Sequence, residues 1–171
     1  ISSTPSAKTG EITLTSSAKL LTATSVGVRL NLDGGEVLIT SIVSDVSAKA
    51  TVKSNLTAVT ADANWQEQTF SAFRGYPKSI AFHQNRLVIG GSKSLHNRLW
   101  LSCTGKLLNF DLGTGLDDEA IEFDIFSDKV NEIVGVFSGR HLQVFTSDAE
   151  WMVSGVPLTP SNISVSQQTK I

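Results

Sequence analysis

The sequence predicts an all-β protein: a small antiparallel β-sheet or barrel domain over residues 1–64, then propeller-like antiparallel β-meander units over residues 65–171. Three observations lead there. Aliphatic and β-branched residues alternate with polar ones in short runs, the period of a half-buried strand. Glycine, proline, asparagine and aspartate gather between the runs, where an antiparallel chain must reverse. One pattern of strand, tight turn, strand, polar turn and strand occurs twice in the second half.

At 171 residues the chain is long enough for one good core or two small ones, and too short for a closed propeller. Its 14 basic and 16 acidic residues give a net charge of -2, and Lys and Arg form no run, which argues against a surface that binds duplex DNA through its phosphates. Cys103 is the single cysteine, so a disulfide framework or a thiolate zinc site cannot be built within the chain. No stretch approaches the roughly 20 apolar residues that span a bilayer, and Ile1-Ser2-Ser3-Thr4-Pro5 lacks the features of a signal peptide. The chain starts without Met and its last residues read as a strand, so a piece of a longer protein is expected.

Residues 1–10 are polar, without period, and are expected to form a flexible leader. Glu11-Ile12-Thr13-Leu14-Thr15, Val26-Gly27-Val28-Arg29-Leu30-Asn31-Leu32, residues 36–43 and residues 45–53 then alternate, giving about four strands. Asp33-Gly34-Gly35 supplies positive φ at no steric cost and closes a hairpin. The Ala, Ser and Thr content promises a thin core. Residues 56–73 have weak periodicity, and the boundary is placed there, with Trp65, Phe70 and Phe73 as apolar anchors to the second unit.

The second half is organised around Arg74-Gly75-Tyr76-Pro77-Lys78-Ser79-Ile80-Ala81-Phe82-His83-Gln84-Asn85-Arg86-Leu87-Val88-Ile89-Gly90-Gly91, a breaker pair, an apolar hairpin and a double glycine. Strands are expected at 79–83, 86–90 and 98–102, with turns at 84–85 and 91–97. Residues 106–116 read as a loop held by apolar plugs at Leu107, Leu108 and Phe110, and Ile121, Phe123 and Ile125 mark one face of a strand. Strands at 131–137, 141–146 and 150–154 follow. Residues 80–102 laid on residues 133–154 form the repeat, each copy's third strand carrying a tryptophan, Trp100 or Trp151. Meandering units of that length are the mark of propeller blades, so this half is an arc without its closing partners, or a sandwich.

The most enzyme-like feature is acidic: Asp117, Asp118 and Glu119, then Glu122 and Asp124, a carboxylate supply suited to calcium or acid–base work. Alternation places Glu122 and Asp124 on the solvent face of a strand, and EF-hand spacing is missing. His83, His96 and His141 are scattered, so a metal site would depend on the fold bringing them together. Cys103 at a strand end has no nucleophile signature around it, and Gly90-Gly91-Ser92 precedes no helix pattern that would make an anion site. Arg74, Arg86, Arg98 and Arg140 stand at turns and strand starts, where a guanidinium ties loops to carbonyls or carboxylates. No catalytic, cofactor-binding or metal-ligating residue is assigned, and no cofactor or enzymatic activity is expected.

The second half carries an ordered series: Gly75-Tyr76-Pro77, Ile80-Ala81-Phe82-His83-Gln84-Asn85-Arg86-Leu87, Gly90-Gly91-Ser92, Leu99-Trp100-Leu101-Ser102, Asn109-Phe110 and Asp117-Asp118-Glu119-Ala120-Ile121. Val130-Asn131-Glu132-Ile133, Leu142-Gln143-Val144-Phe145-Thr146, Glu150-Trp151, Gly155 and Leu158-Thr159-Pro160 continue it. The series resembles the tail tubular protein B, or tail nozzle, family of short-tailed bacteriophages and prophages, over about residues 65–171. The resemblance implies a structural virion component made in the bacterial cytoplasm. It also implies a ring of copies, hexameric in the full-length protein, that meets a tail adaptor and fibre or spike proteins and lets DNA pass during ejection. The family has no catalytic residues to carry over. The alternative is a non-catalytic binding module for a host glycan or a protein partner. Residues 1–64 hold no Trp, Tyr or Phe, so recognition by stacking would lie nearer Trp65 and Tyr76.

Overall fold

The computed structural model describes residues 1–126 and 131–170; Val130 of the series above and the Ile171 end of the last expected strand lie outside the described residues. It is all-β and antiparallel throughout, and it divides into two compact units, Ile1–Arg74 and Gly75–Ile171.

The first unit is one six-stranded sheet. Its strands are β1 (Ser3–Pro5), β2 (Glu11–Ser16), β3 (Arg29–Leu32), β4 (Gly35–Ser44), β5 (Ser47–Ser54) and β6 (Gln66–Glu67), in the order β1-β2-β5-β4-β3-β6. Alternation decides which side each residue takes: Ile12 and Leu14 of β2, Leu30 and Leu32 of β3, Val37 and Ile39 of β4, and Ala48 and Ala50 of β5 all turn into one core. The sheet curls, and its edges are tied across the gap. Ser3 and Asp62 exchange two backbone hydrogen bonds of 2.8 and 2.9 Å, and Trp65 Nε1 donates to Ile1 O at 3.0 Å.

Asp33 and Gly34 both have positive φ, 46° and 70°, and Leu32 pairs with Gly35, so the expected hairpin turn consists of those two residues. Gly35 serves another purpose: a Cβ there would sit 2.5 Å from Ser54 O.

Two expectations are corrected here. Residues 1–10 are not a free leader, since β1 pairs with β2 from Ser3↔Ser16 to Pro5↔Leu14, and Ser3 and Pro5 are buried. Backbone pairing orders a segment whose side chains offer little apolar area. The boundary moves from 64/65 to 74/75, because Gln66 and Glu67 pair with β3 and Trp65 packs on the first unit's core.

The second unit holds two sheets, each a meander of four consecutive strands. The first contains β7 (Ser79–His83), β8 (Arg86–Gly90), β9 (Arg98–Leu101) and β10 (Ile121–Asp124). The second contains β11 (Ile133–Ser138), β12 (Leu142–Thr146), β13 (Ala149–Thr159) and β14 (Asn162–Lys170). Gln84 and Asn85, with φ of 47° and 59°, make the tight turn between β7 and β8. The sheets share one core, to which the first gives Val88, Leu99 and Leu101, and the second gives Ile133, Val136, Leu142, Val144, Trp151 and Val153. Gly90 admits the second sheet, because a Cβ there would come within 2.9 Å of Val136 Cγ1.

The register shows how the two meanders are related. In the first, Ile80, Ile89 and Trp100 form one cross-strand ladder; in the second, Val136, Val144 and Trp151 form the equivalent ladder. The second ladder faces the shared core, whereas the first lies on the far side of its sheet from Val88, Leu99 and Leu101. A two-fold sandwich would turn both tryptophan ladders inward. Here only the second sheet turns its tryptophan ladder to the shared core, so the two sheets face the same way, as in a propeller-like arrangement.

The loop at 106–116 departs from expectation. Leu108 is 89% exposed and Leu107 is exposed too, so of the three expected plugs only Phe110 is half-buried. Its order comes from polar groups. Asn109 Oδ1 accepts from Asp111 N at 2.9 Å and Asp111 Oδ1 accepts from Gly113 N at 3.1 Å, two side-chain turns in succession.

Candidate functional site

The acidic segment is built around a buried arginine. Arg86 begins β8 and is 1% exposed, and its guanidinium donates to three backbone carbonyls: Ser102 at 2.7 Å, Glu119 at 2.6 Å and Asp117 at 2.7 Å. Burial pushes its pKa down, against the pull of Cys103 and Asp118. A planar fork with five donors suits three convergent carbonyls, where a lysine would reach fewer. The backbone of residues 117–119 is therefore wrapped on Arg86 while the side chains of Asp117 and Asp118 point to solvent.

Glu119 Oε2 accepts three backbone N–H groups, from Thr114 at 2.8 Å, Gly115 at 2.6 Å and Leu116 at 2.7 Å. Those donors, that of Leu116 foremost, hold its carboxyl below the usual range. Asp124 is spanned by Arg98, with Nε and Nη2 at 2.7 and 2.9 Å from its two oxygens, and Glu122 lies 3.9 Å from Arg98 Nη1. The Arg98 hydrogen bond lowers the Asp124 pKa, and the same bond raises that of Arg98. Glu119 is thus engaged by loop amides, and Asp124 and Glu122 by an arginine, while Asp117 and Asp118 face solvent. Among the described residues no group of three or more His, Cys, Asp or Glu is placed to hold a metal ion.

The other singled-out residues have local partners. Cys103 is buried, with Sγ 3.5 Å from Asp111 O, and its neighbour Ser102 accepts from Leu87 N at 2.9 Å. Arg74 makes a two-point contact with Glu67 at 3.0 and 2.6 Å, and Glu67 raises its pKa. Arg140 is exposed at the β11–β12 turn. His83 and His141, far apart in sequence, meet in the fold: His83 Nδ1 lies 2.9 Å from Ser138 Oγ, and the charge of His141 acts on His83. His96 stands apart, near Asp124. The signal for the pair was present in the repeat, whose two tight turns carry His83 and His141, but spacing alone did not join them.

Two surfaces were not foreseen. One is a cavity of about 180 Å³ at one end of the first unit, lined by Leu20, Leu21, Leu30, Trp65, Phe73 and Arg74 among others. Phe73 is 44% exposed at its rim, beneath the Arg74 guanidinium. The other is the outward side of the second unit. Ile80, which holds the ladder position of Val136, is 61% exposed where Val136 is 8% exposed, and Phe82 beside it is 63% exposed. On the second sheet Val134, Phe137 and Phe145 point away from the core in the same manner. Patches of this kind on a folded unit mark protein contacts more often than chemistry.

No protein-family model matches the chain, and no curated protein is significantly similar to it.

Proposed function

We propose that this chain is a structural component of a short-tailed bacteriophage or prophage tail, in the tube or nozzle, and that it works by assembly geometry rather than by catalysis. The observation that carries the reading is the ladder Ile80, Ile89 and Trp100. Its counterpart Val136, Val144 and Trp151 is covered by the first sheet; in the first ladder Ile89 and Trp100 are buried as well, but Ile80, with Phe82 on the same face of β7, stays open. That is the surface of an arc that continues, and a ring of copies supplies the continuation. The ordered series of residues between Gly75 and Pro160 adds the tail nozzle resemblance. In this reading the partners are other copies in a hexameric ring, the tail adaptor, and fibre or spike proteins, and the place of action is the virion. DNA passing through such a channel must slide, so weak phosphate attraction and a net charge of -2 are compatible with the role.

The test is immunogold electron microscopy of intact particles from the bacterium that encodes the chain, with antibody raised against it. Gold confined to the tail below the capsid vertex is expected. Unlabelled particles, with the antigen accessible and found only in cell lysate, would overturn the reading.

The aromatic-rimmed cavity of the first unit favours a second reading, a non-catalytic binding module for a host glycan or a protein partner. Quenching or blue-shift of Trp65 emission by surface polysaccharide of the host would support it. An unchanged spectrum across such ligands would remove it.

A further inference from the structure

Two adjacent residues hold the β7–β8 turn against the second meander. His83, 5% exposed, places Nδ1 2.9 Å from Ser138 Oγ at the end of β11. Gln84 donates from Nε2 to Gly155 O at 2.9 Å and accepts from Leu158 N at 2.7 Å. The turn therefore touches both the β11–β12 hairpin and β13. Behind this contact, His83 Nε2 and His141 Nδ1 are both buried without a hydrogen-bond partner.

We propose that His83, Ser138 and His141 form a pH-sensitive latch between the two meanders: neutral His83 keeps the β7–β8 turn seated on the β11–β12 hairpin, and protonation of His83 loosens it. In a neutral imidazole that donates from Nδ1 to Ser138, the unpaired Nε2 is a bare acceptor, a smaller penalty than a buried unpaired N–H. An imidazolium carries two N–H donors, and the second, at the buried Nε2, has no hydrogen-bond partner among the described residues. Among the described residues no carboxylate is found acting on His83. From its own hairpin His83 faces its cross-strand partner Arg86; from the β11–β12 hairpin it faces His141, with Arg140 exposed beside it; Gly155 and Leu158 of β13 are uncharged. These are cations or neutral groups, and burial without a carboxylate disfavours the charged ring. Burial first, and then the charge of His141, hold the His83 pKa below the ordinary imidazole value. With a folded value lowered in this way, the stabilisation is complete above about pH 6.5, the ordinary value, and is lost as pH falls from there through the folded one.

The experiment is thermal unfolding of the full chain from pH 8 to pH 5, paired with an NMR titration of its imidazole nitrogens, for the wild type, His83→Asn and His141→Asn. Asparagine retains a polar group facing Ser138 and does not titrate in this range. In the wild type, the midpoint of the second unit should fall as pH drops below about 6.5. The His83 signals should titrate later than an ordinary histidine, with shifts at Gln84, Ser138 and Gly155 in step. His83→Asn should flatten the pH dependence, and His141→Asn should move the His83 titration upward. An ordinary titration of His83 that leaves those three residues unmoved would overturn the latch. So would a midpoint profile in His83→Asn that runs parallel to the wild type. Should His83→Asn fail to fold, the wild-type titration and His141→Asn decide the matter by themselves.

Discussion

The two units answer the same problem, what to do with the edges and faces of a β-sheet, in opposite ways. The first curls until β1 and the segment before β6 meet at Ser3 and Asp62, and its inward Leu, Val, Ile and Ala residues are covered by its own strands. The second packs two four-stranded meanders on one core and leaves Ile80, Phe82, Val134, Phe137 and Phe145 outside. The first unit pairs its own edges, whereas the second repeats a ladder and leaves apolar side chains exposed on β7. In the proposed tail assembly, the contrast would put the contacts between copies on the second unit.

The largest effect should come from the residue on which that second unit is wrapped. Arg86→Met would strand three carbonyls on a buried site and is expected to cost about 3–5 kcal/mol, the range seen when one partner of a buried charged contact is removed. Urea unfolding followed by fluorescence in a Trp65→Phe background, which leaves Trp100 and Trp151 as reporters, measures it. A loss below about 1 kcal/mol would mean that water replaces the guanidinium, and that Arg86 does not organise the unit.

The next largest belongs to the first unit, whose stability rests on aliphatic packing. Leu14 is 1% exposed in β2, and Leu14→Ala should cost about 2–4 kcal/mol through lost burial and a residual cavity. Amide exchange in β2 and β5 should quicken while that in β8 and β12 stays as it was. Equal acceleration in both units would break the comparison, because it would make them one cooperative body.

The exposed residues of β7 set up the opposite result, a change in association with little change in stability. Ile80→Thr combined with Phe82→Ser should shift unfolding by no more than about 0.5 kcal/mol, as substitutions on an open surface do. Sedimentation at rising concentration should show weaker self-association than in the wild type. A double variant that unfolds far more readily would show that these side chains already have partners within the chain.

Much of this architecture can be read from particular residues. Asp33-Gly34 marks a hairpin because few other pairs take positive φ twice, and the alternation of Ile12 with Leu14, or of Leu142 with Val144, assigns faces because a strand has only two. The repeat is visible through Trp100 and Trp151, although which face each takes required the register. What escapes reading is order that comes from single polar groups. β1 has no apolar pattern and is recruited by backbone pairing, and the leucines of residues 106–116 look like plugs but lie outside. The approach of His83 to His141 depends on how two hairpins pack, which no local pattern encodes.

The smallest effect expected is confined to that loop. Glu119 bonds three amides through one oxygen, and those amides, Leu116's foremost, hold its carboxyl below the usual range. A carboxylate with a lowered folded pKa contributes order that is present above the ordinary glutamate value, near about 4.3, and is lost as pH falls through the folded value. The amide resonances of Thr114, Gly115 and Leu116 should therefore move together in acid below that point. In Glu119→Gln they should already stand at their acid positions at neutral pH, since a neutral amide oxygen is a weaker acceptor for three donors. Global unfolding should not shift measurably, because the carboxylate is solvent-facing and its bonds stay within one loop. Were the second unit to lose stability in Glu119→Gln, the loop would be coupled to Arg86 through the Glu119 carbonyl that the guanidinium holds, and the side chain would count among the supports of the core.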